Sequence, residues 1–276
     1  MEEIIQYFEH IPSAHRSAIL VGGLAFFTLL ETGIPKVKQP YNKWKHAGIN
    51  IFFTLTTVVV NFVLAFMLLW ASDWAVSHHF GLLQWLPALP LWAYMLVGLL
   101  SMDLISAYFA HWTEHNVKWM WMFHLVHHTD QYVDTTTANR HHPGESVIRF
   151  TFTALGALLT GANWWVVMLY QSLSVVLSQF NHANIRLPEG IDRILSLVIV
   201  TPGMHRIHHH YQQPFTDSNY GNIFAIWDHL FGTFRRMPSE QLVFGVDTYM
   251  EEPEHSHLPT LLGIPFGPYR APDPNP

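Results

Sequence analysis

The 276-residue sequence contains no cysteine. That absence excludes disulfides, thiolate metal ligands, iron–sulfur clusters and a cysteine nucleophile together. Charge is scarce as well: Asp, Glu, Lys and Arg make up 12% of the chain, against 50% hydrophobic residues. Soluble domains run nearer one quarter charged, so this balance points to a bilayer. The net charge of −6 supplies no basic field for nucleic acid, and none is expected as a partner. No G-x-G-x-x-G turn marks a dinucleotide-binding unit. The first 16 residues lack the basic start and small-residue cleavage site of a signal peptide, so nothing is expected to be removed.

What the chain holds in excess is histidine and aromatic side chains. Its 20 histidines outnumber Lys and Arg together, at 14. The 11 Trp and 19 Phe suit a bilayer and its interfaces.

Apolar runs set the expected organisation. Ser17 to Ile34 is apolar except for Glu31, Ile49 to Ala71 carries no charge, and Leu91 to Ala110 is broken only by Asp103. Each approaches the roughly 20 helical residues that cross a bilayer. Between the first two lie Lys36, Lys38, Lys43 and Lys45, while Asp73 to Pro90 has neither Lys nor Arg. Lysine-rich loops stay cytoplasmic, which predicts that the third run returns to the cytoplasmic face. Val147 to Phe180 is too long for one straight span and predicts a helical hairpin turning at Gly161–Asn163. Leu195 to Val200 is expected to lie in the interface. Beyond Met237 come eight of the 17 prolines, which predicts a surface tail over 238–276 with little regular structure. The whole reads as one all-α, multi-pass membrane domain over 1–276, with about four to five membrane helices under a cytoplasmic histidine-rich cap.

The histidines fall in three clusters. His111 and His115 are four apart, His124 is followed by His127 and His128, and His205 by His208, His209 and His210. Residues three or four apart share a helix face, so each cluster presents imidazoles side by side. Neutral imidazole suits Fe, Zn, Cu and Ni. One ion takes about four such ligands, so the eight at 111, 115, 124, 127, 128, 205, 208 and 209 are enough for two. The zinc-protease pattern requires Glu directly after the first His; here Trp112 stands there and Glu114 precedes His115. His10, His15, His46, His78, His79, His255 and His257 are isolated and read as packing or surface residues.

Together these spacings resemble the membrane-bound fatty acid hydroxylase/sterol desaturase superfamily, whose pattern is H-x3-H, H-x2-H-H and a second H-x2-H-H. The resemblance extends over roughly 50–236. Asp103 and Tyr108 precede the first box as in the family's D-x4-Y-x2-H arrangement. Arg140-His141-His142-Pro143-Gly144-Glu145 is similar to its R-x-H-P-x-E element, and Asn181-His182 to its extra histidine segment. Thr201-Pro202, Asn219-Tyr220-Gly221 and Trp227-Asp228 through Gly232-Thr233 match elements around the third box. The resemblance implies a non-haem diiron centre that uses O2 to hydroxylate or desaturate a lipid drawn from the bilayer. It adds His182 as a ninth ligand, with His142 as a weaker candidate. It places His141 and His210 beside or outside the site, and gives Asp228 the role of orienting an imidazole. Asp103, eight residues before His111, reads as an acceptor behind the ligands or a polar group in a substrate channel. Because this chain carries no dinucleotide or haem motif, an external electron donor of ferredoxin or cytochrome type, with its reductase, is implied. Two other readings of the clusters are a membrane metal transporter and a zinc-dependent lipid hydrolase. The former would place ligands near the bilayer midplane, and the latter would work without O2.

Overall fold

The structure is a computed structural model and describes residues 2–272. Among these residues it is helical, with three isolated β-bridges in place of strands. A short α1 (Glu2–Glu9) leads into α2 (Ser13–Gly33). Next, α3 (Lys43–Ser77) begins at Asn42, whose side chain accepts from Lys45 N at 3.1 Å. Its 35 residues reach about 50 Å, longer than a hydrocarbon core is thick, so its ends stand clear of it. The single turn α4 (Leu82–Trp85) precedes α5 (Leu91–Asp103). A π-helical segment, Leu104–Phe109, then joins α5 to α6 (Ala110–Asn116). By length and composition, Ser13–Gly33, Lys43–Trp85 and Leu91–Asn116 are apolar enough to cross a membrane. Side chains such as Phe62 (82% exposed) and Phe66 (65%) face outward from α3, as lipid-facing residues do.

The expected hairpin is present: α8 (Pro143–Thr160) turns at Gly161 into α9 (Trp164–His182), after α7 (Lys118–His128). Gly161 has φ +64°, a left-handed conformation, and any Cβ there would strike the Phe80 carbonyl, so the turn requires glycine. The hairpin was expected either to span the membrane or to re-enter it; its second arm, α9, is buried all round from Trp165 to Tyr170. It packs against α1, α2 and α5 as the central post of the bundle. The main apolar core joins α9 to Leu68 of α3, Met102 of α5 and Phe150 of α8.

Small helices close one end: α10 (Glu189–Leu195), α11 (Pro202–His208) and α12 (Ile226–Phe231), then α13 (Glu252–Ser256) and α14 (Leu258–Gly263). The last two correct the expected loose tail. Val246, Tyr249, Leu261 and Ile264 form a second buried core with Phe53, Met122 and Leu125, clamping α7 onto α3. Prolines at the first turns of α13 and α14 start helices instead of preventing them. Residues 273–276 of that segment lie outside the described residues.

At the same end, the loop after α7 is tied down through charge. Asp130 accepts from His46 Nε2 at 2.8 Å, and Asp134 from the Tyr41 hydroxyl at 2.5 Å. Arg140, fully buried, donates to Val126 O, Asn50 Oδ1 and His255 O. Burial pushes the Asp130 carboxyl up, but His46 and Arg140 outweigh it and hold it well below the usual carboxylate range. His46, isolated in sequence, is therefore a buried strut between α3 and the segment that follows His128.

Candidate metal centre

Four helices deliver nine imidazoles to one buried space. His111 and His115 lie one turn apart on α6. Val117, extended at φ −102° and ψ 107°, reverses the chain so that α7 runs back beside α6. On α7, His124 and His128 are i and i+4 and face α6, whereas His127 points to the side, towards α9. Thr201 starts α11 by accepting from Met204 N at 3.2 Å, with Pro202 in the first helical position. On α11, His205 and the capping His209 share one side and His208 the other. His182 arrives at the last turn of α9.

The result is two adjacent groups. His111, His115, His124, His128 and His208 form the first, and His127, His182, His205 and His209 the second; within each, the candidate ligating atoms all lie within 4.8 Å of one another. Each H-x2-H-H box thus divides between the groups, and their rings stack across the boundary, His124 on His127 (5.2 Å) and His128 on His209 (4.8 Å). All nine imidazoles expected from the sequence fall in these two groups.

The hydrogen bonds behind the rings decide what can occupy the space. His111 Nδ1 donates to Tyr220 O (2.9 Å), His208 Nδ1 to Ser218 O (2.6 Å) and His182 Nδ1 to Ser178 O (2.7 Å). Carboxylates accept from two more: Glu145 from His124 Nδ1 (2.7 Å) and Asp217 from His115 Nδ1 (3.0 Å). A carbonyl or carboxylate only accepts, so Nδ1 carries the proton in all five neutral rings and Nε2 keeps a lone pair aimed inward. Yet His111 Nε2 and His124 Nε2 stand 3.0 Å apart. Two lone pairs at that separation repel unless a cation lies between them.

A proton is a poor candidate for that cation. Burial first, and then the neighbouring imidazoles, hold His124, His127, His128, His205, His208 and His209 well below the ordinary histidine range. His115 Nε2, His208 Nε2 and both nitrogens of His209 are buried without a hydrogen-bond partner. Each such orphan costs about 1–3 kcal/mol if nothing satisfies it. The donor set, all neutral nitrogen in two groups of five and four, fits two borderline metal ions.

Charge around the groups converges on Glu145. One of its oxygens accepts from His124 Nδ1, His141 Nδ1 (2.7 Å) and Arg149 Nε (3.0 Å). Arg149 also pairs with buried Glu114 at 2.9 Å. His141 stacks on His127 at 4.8 Å, so Glu145 touches the first group directly and the second only through His141. Sequence reasoning singled out neither Arg149 nor Asp217. Arg149 stands four residues after Glu145, the helical ion-pair spacing; Asp217 sits in a loop with no such signal.

Other expected residues fall outside the two groups. His142 caps α8 by accepting from Gly144 N (3.0 Å), and His210 Nδ1 accepts from Val243 N (3.2 Å). Asp103 accepts from Ile223 N, Phe224 N and Trp227 Nε1, tying the third apolar helix to the loop before α12; it touches no ligand histidine. An acceptor behind the ligands, eight residues before His111, would share its face only on a regular α-helix, and the π segment between them changes the phase. Asp228 acts at one remove: it accepts from Tyr220 N (2.8 Å) and Gly221 N (2.9 Å), holding the carbonyl that in turn holds His111.

The fatty acid hydroxylase family model matches residues 95–233, a stretch that contains all nine histidines. The chain belongs to the fatty acid hydroxylase family. Within the wider fatty acid hydroxylase/sterol desaturase superfamily, relatives include alkylglycerol monooxygenase of Danio rerio, 30% identical over 62% of this chain and 36% of its own length. Ornithine lipid hydroxylase OlsE of Rhizobium tropici is 28% identical over 59% of this chain and 48% of its own. The cholesterol 25-hydroxylase-like protein of Danio rerio is 33% identical over 45% of this chain and 48% of its own. The chain therefore matches less than half the length of each of these relatives. No solved structure matches the chain.

Proposed function

We propose that the chain is a membrane-bound oxygenase that uses O2 and external reducing equivalents to hydroxylate a lipid at a pair of non-haem iron ions. The observation that carries this reading is the convergence of nine buried imidazoles into two adjacent groups with their free nitrogens facing one another. His111, His115, His124, His128 and His208 would hold one ion, and His127, His182, His205 and His209 the other. When bound, the irons would supply O2 activation and attack on an unactivated C–H bond.

The chain's own residues do the rest. Tyr220, Ser218 and Ser178 carbonyls and the Glu145 and Asp217 carboxylates fix the tautomers, so the nitrogens need not reorganise when metal enters. Burial of the site keeps bulk water from reactive species. The lipid reading rests on the three relatives, by name an alkylglycerol monooxygenase, an ornithine lipid hydroxylase and a cholesterol 25-hydroxylase-like protein. An apolar groove of about 290 Å³ supports it: Phe66, Met67 and Trp70 of α3 face Ala154, Leu155 and Leu158 of α8. From Leu158 to Glu145 along α8 is about 20 Å, so an alkyl chain in this groove points towards the histidines.

The lysines of 35–46 sit at the histidine end, since His46 reaches Asp130, two residues beyond His128. By the positive-inside rule that end is cytoplasmic, where a ferredoxin- or cytochrome-type donor can reach it. The test is turnover of membrane lipid extracts by iron-loaded protein with a reductant and isotopically labelled O2. The reading requires a lipid product that carries one labelled oxygen atom, and loss of that product in His127→Ala. Lipid conversion that proceeds equally under strict anaerobiosis and takes up no label from O2 would point to a hydrolase.

A further inference from the structure

On the side of α11 turned away from the histidines, Gly203, Met204 and Ile207 floor a cavity of about 700 Å³. The ends of α2 and α9 fix its depth. Lys36 follows α2 and Arg186 follows α9, and the strands of chain are joined by Lys36 N to Asn184 O (3.1 Å) and Arg186 N to Ile34 O (2.9 Å). One wall is α10 and the turn after it, through Glu189, Asp192, Arg193 and Ser196; the neighbouring Ile191, Ile194, Leu197 and Val198 are exposed outside the lining. Charged walls with an apolar lip, at the end of a candidate span, correspond to the head-group level of a bilayer.

The charges in this cavity have opposite signs and stand further apart than ion-pair distance. Lys36, Arg186, Arg193 and Arg236 supply cations, and Glu189, Asp192 and Glu240 supply carboxylates. Among the described residues none of these seven forms an ion pair. Arg236 donates to Ser196 Oγ at 2.9 Å and makes no contact with a carboxylate. Burial and nearby Arg206 push the Lys36 ammonium down, while Asp192, Glu240 and Glu189 pull it back up from a distance. Asp192 Oδ1 is buried without a hydrogen-bond partner. Its carboxylate lies so close over Gly203 that a Cβ there would displace it. A simple anion would meet three carboxylates here, and a neutral ligand would leave the buried Asp192 Oδ1 without a cationic partner. An occupant that carries both signs satisfies both walls.

We propose that this cavity binds the head group of a zwitterionic lipid, with its anionic group among Lys36, Arg186 and Arg236 and its ammonium at Asp192. The chains then pass over Ile194 and Val198 into the bilayer. This site is distinct from the metal centre, from which the α11 helix separates it, and does not depend on what the metals do. A head group of roughly ten heavy atoms is well within the volume of small-molecule sites.

The test uses delipidated full-length protein in detergent and measures lipid retention by native mass spectrometry. The probes are phosphatidylethanolamine, phosphatidylglycerol, diacylglycerol and soluble glycerophosphoethanolamine. The expected result is phosphatidylethanolamine bound at least about tenfold tighter than each of the others. Lys36→Gln with Arg236→Gln should lower that affinity about tenfold, leaving metal content unchanged. Asp192→Asn should erase the preference over phosphatidylglycerol. If the double variant fails to fold, Arg186→Gln alone is the second probe and should weaken binding in the same direction. Equal binding of diacylglycerol would reduce the site to its apolar rim, and equal binding of phosphatidylglycerol would make it a plain anion site. Glycerophosphoethanolamine binding as tightly as the lipid would assign the cavity to a soluble ligand. Any of these three results, or unchanged affinity in the folded variants, overturns the proposal.

Discussion

Glu145→Gln removes one charge and almost no volume from the point where the first histidine group is braced through His124. In the wild-type chain a single Glu145 oxygen accepts from His124 Nδ1, His141 Nδ1 and Arg149 Nε within 3.0 Å. A glutamine oxygen could still accept one of these protons without its charge. If the amide turns, its NH2 faces His124 and shifts the ring's proton to Nε2, the nitrogen that must bind metal. Hydrogen bonds to charged groups are worth about 1.5–3 kcal/mol, and losing an outer partner of a metal-bound histidine costs roughly 10–100-fold in affinity. His124 belongs to the first group alone, so the loss should fall on one ion. The assay is a chelator titration of metal-loaded, full-length protein, followed by elemental analysis. In Glu145→Gln, one ion per chain should leave at roughly 10–100-fold lower chelator concentration, while the second ion leaves as in wild type. Release of both ions together at the wild-type concentration would refute the reasoning.

Three other outcomes follow from the same geometry. In metal-free protein the six imidazoles held below their ordinary range bind protons less readily folded than unfolded, so stability is lost as pH falls below about 6.5, by up to about 1.4 kcal/mol per pH unit for each ring; thermal unfolding against pH should show this direction, and metal loading should flatten it. Asp130→Asn leaves Arg140 and His46 without their buried carboxylate and should cost about 3–5 kcal/mol in denaturant unfolding, whereas a loss below about 1 kcal/mol would show the strut to be dispensable. Ala154→Trp fills the groove between α3 and α8, and should lower turnover of long-chain lipids about tenfold or more with metal content unchanged; unaltered turnover would place the chain elsewhere.

Much of the centre was legible because metal ligands on helices obey helical spacing. His111 with His115, and His124 with His128, could be read as shared faces before any fold was known. The division of each H-x2-H-H box between two groups follows from the same rule, since i+3 and i+4 lie on either side of one face. The hairpin was legible from length and from Gly161, which the turn requires. What the spacing could not show were partners brought from afar. Asp217 meets His115 across 102 residues, and Tyr220 holds His111 by a backbone carbonyl that any residue would offer. The bonds of Asp103 to Ile223, Phe224 and Trp227 were not legible, because a π segment is not visible in hydrophobic periodicity. The final segment was misjudged because proline was read as a breaker, although at a first helical turn it is a starter.

The central claim is that two adjacent ions share nine imidazoles. It is tested most directly by metal content per chain in full-length protein expressed with ample iron, for wild type, His128→Ala and His127→Ala. Two iron ions per chain are expected in the wild type, with each variant losing the ion of its own group. A wild-type chain holding a single ion, or variants that both retain two, would contradict it.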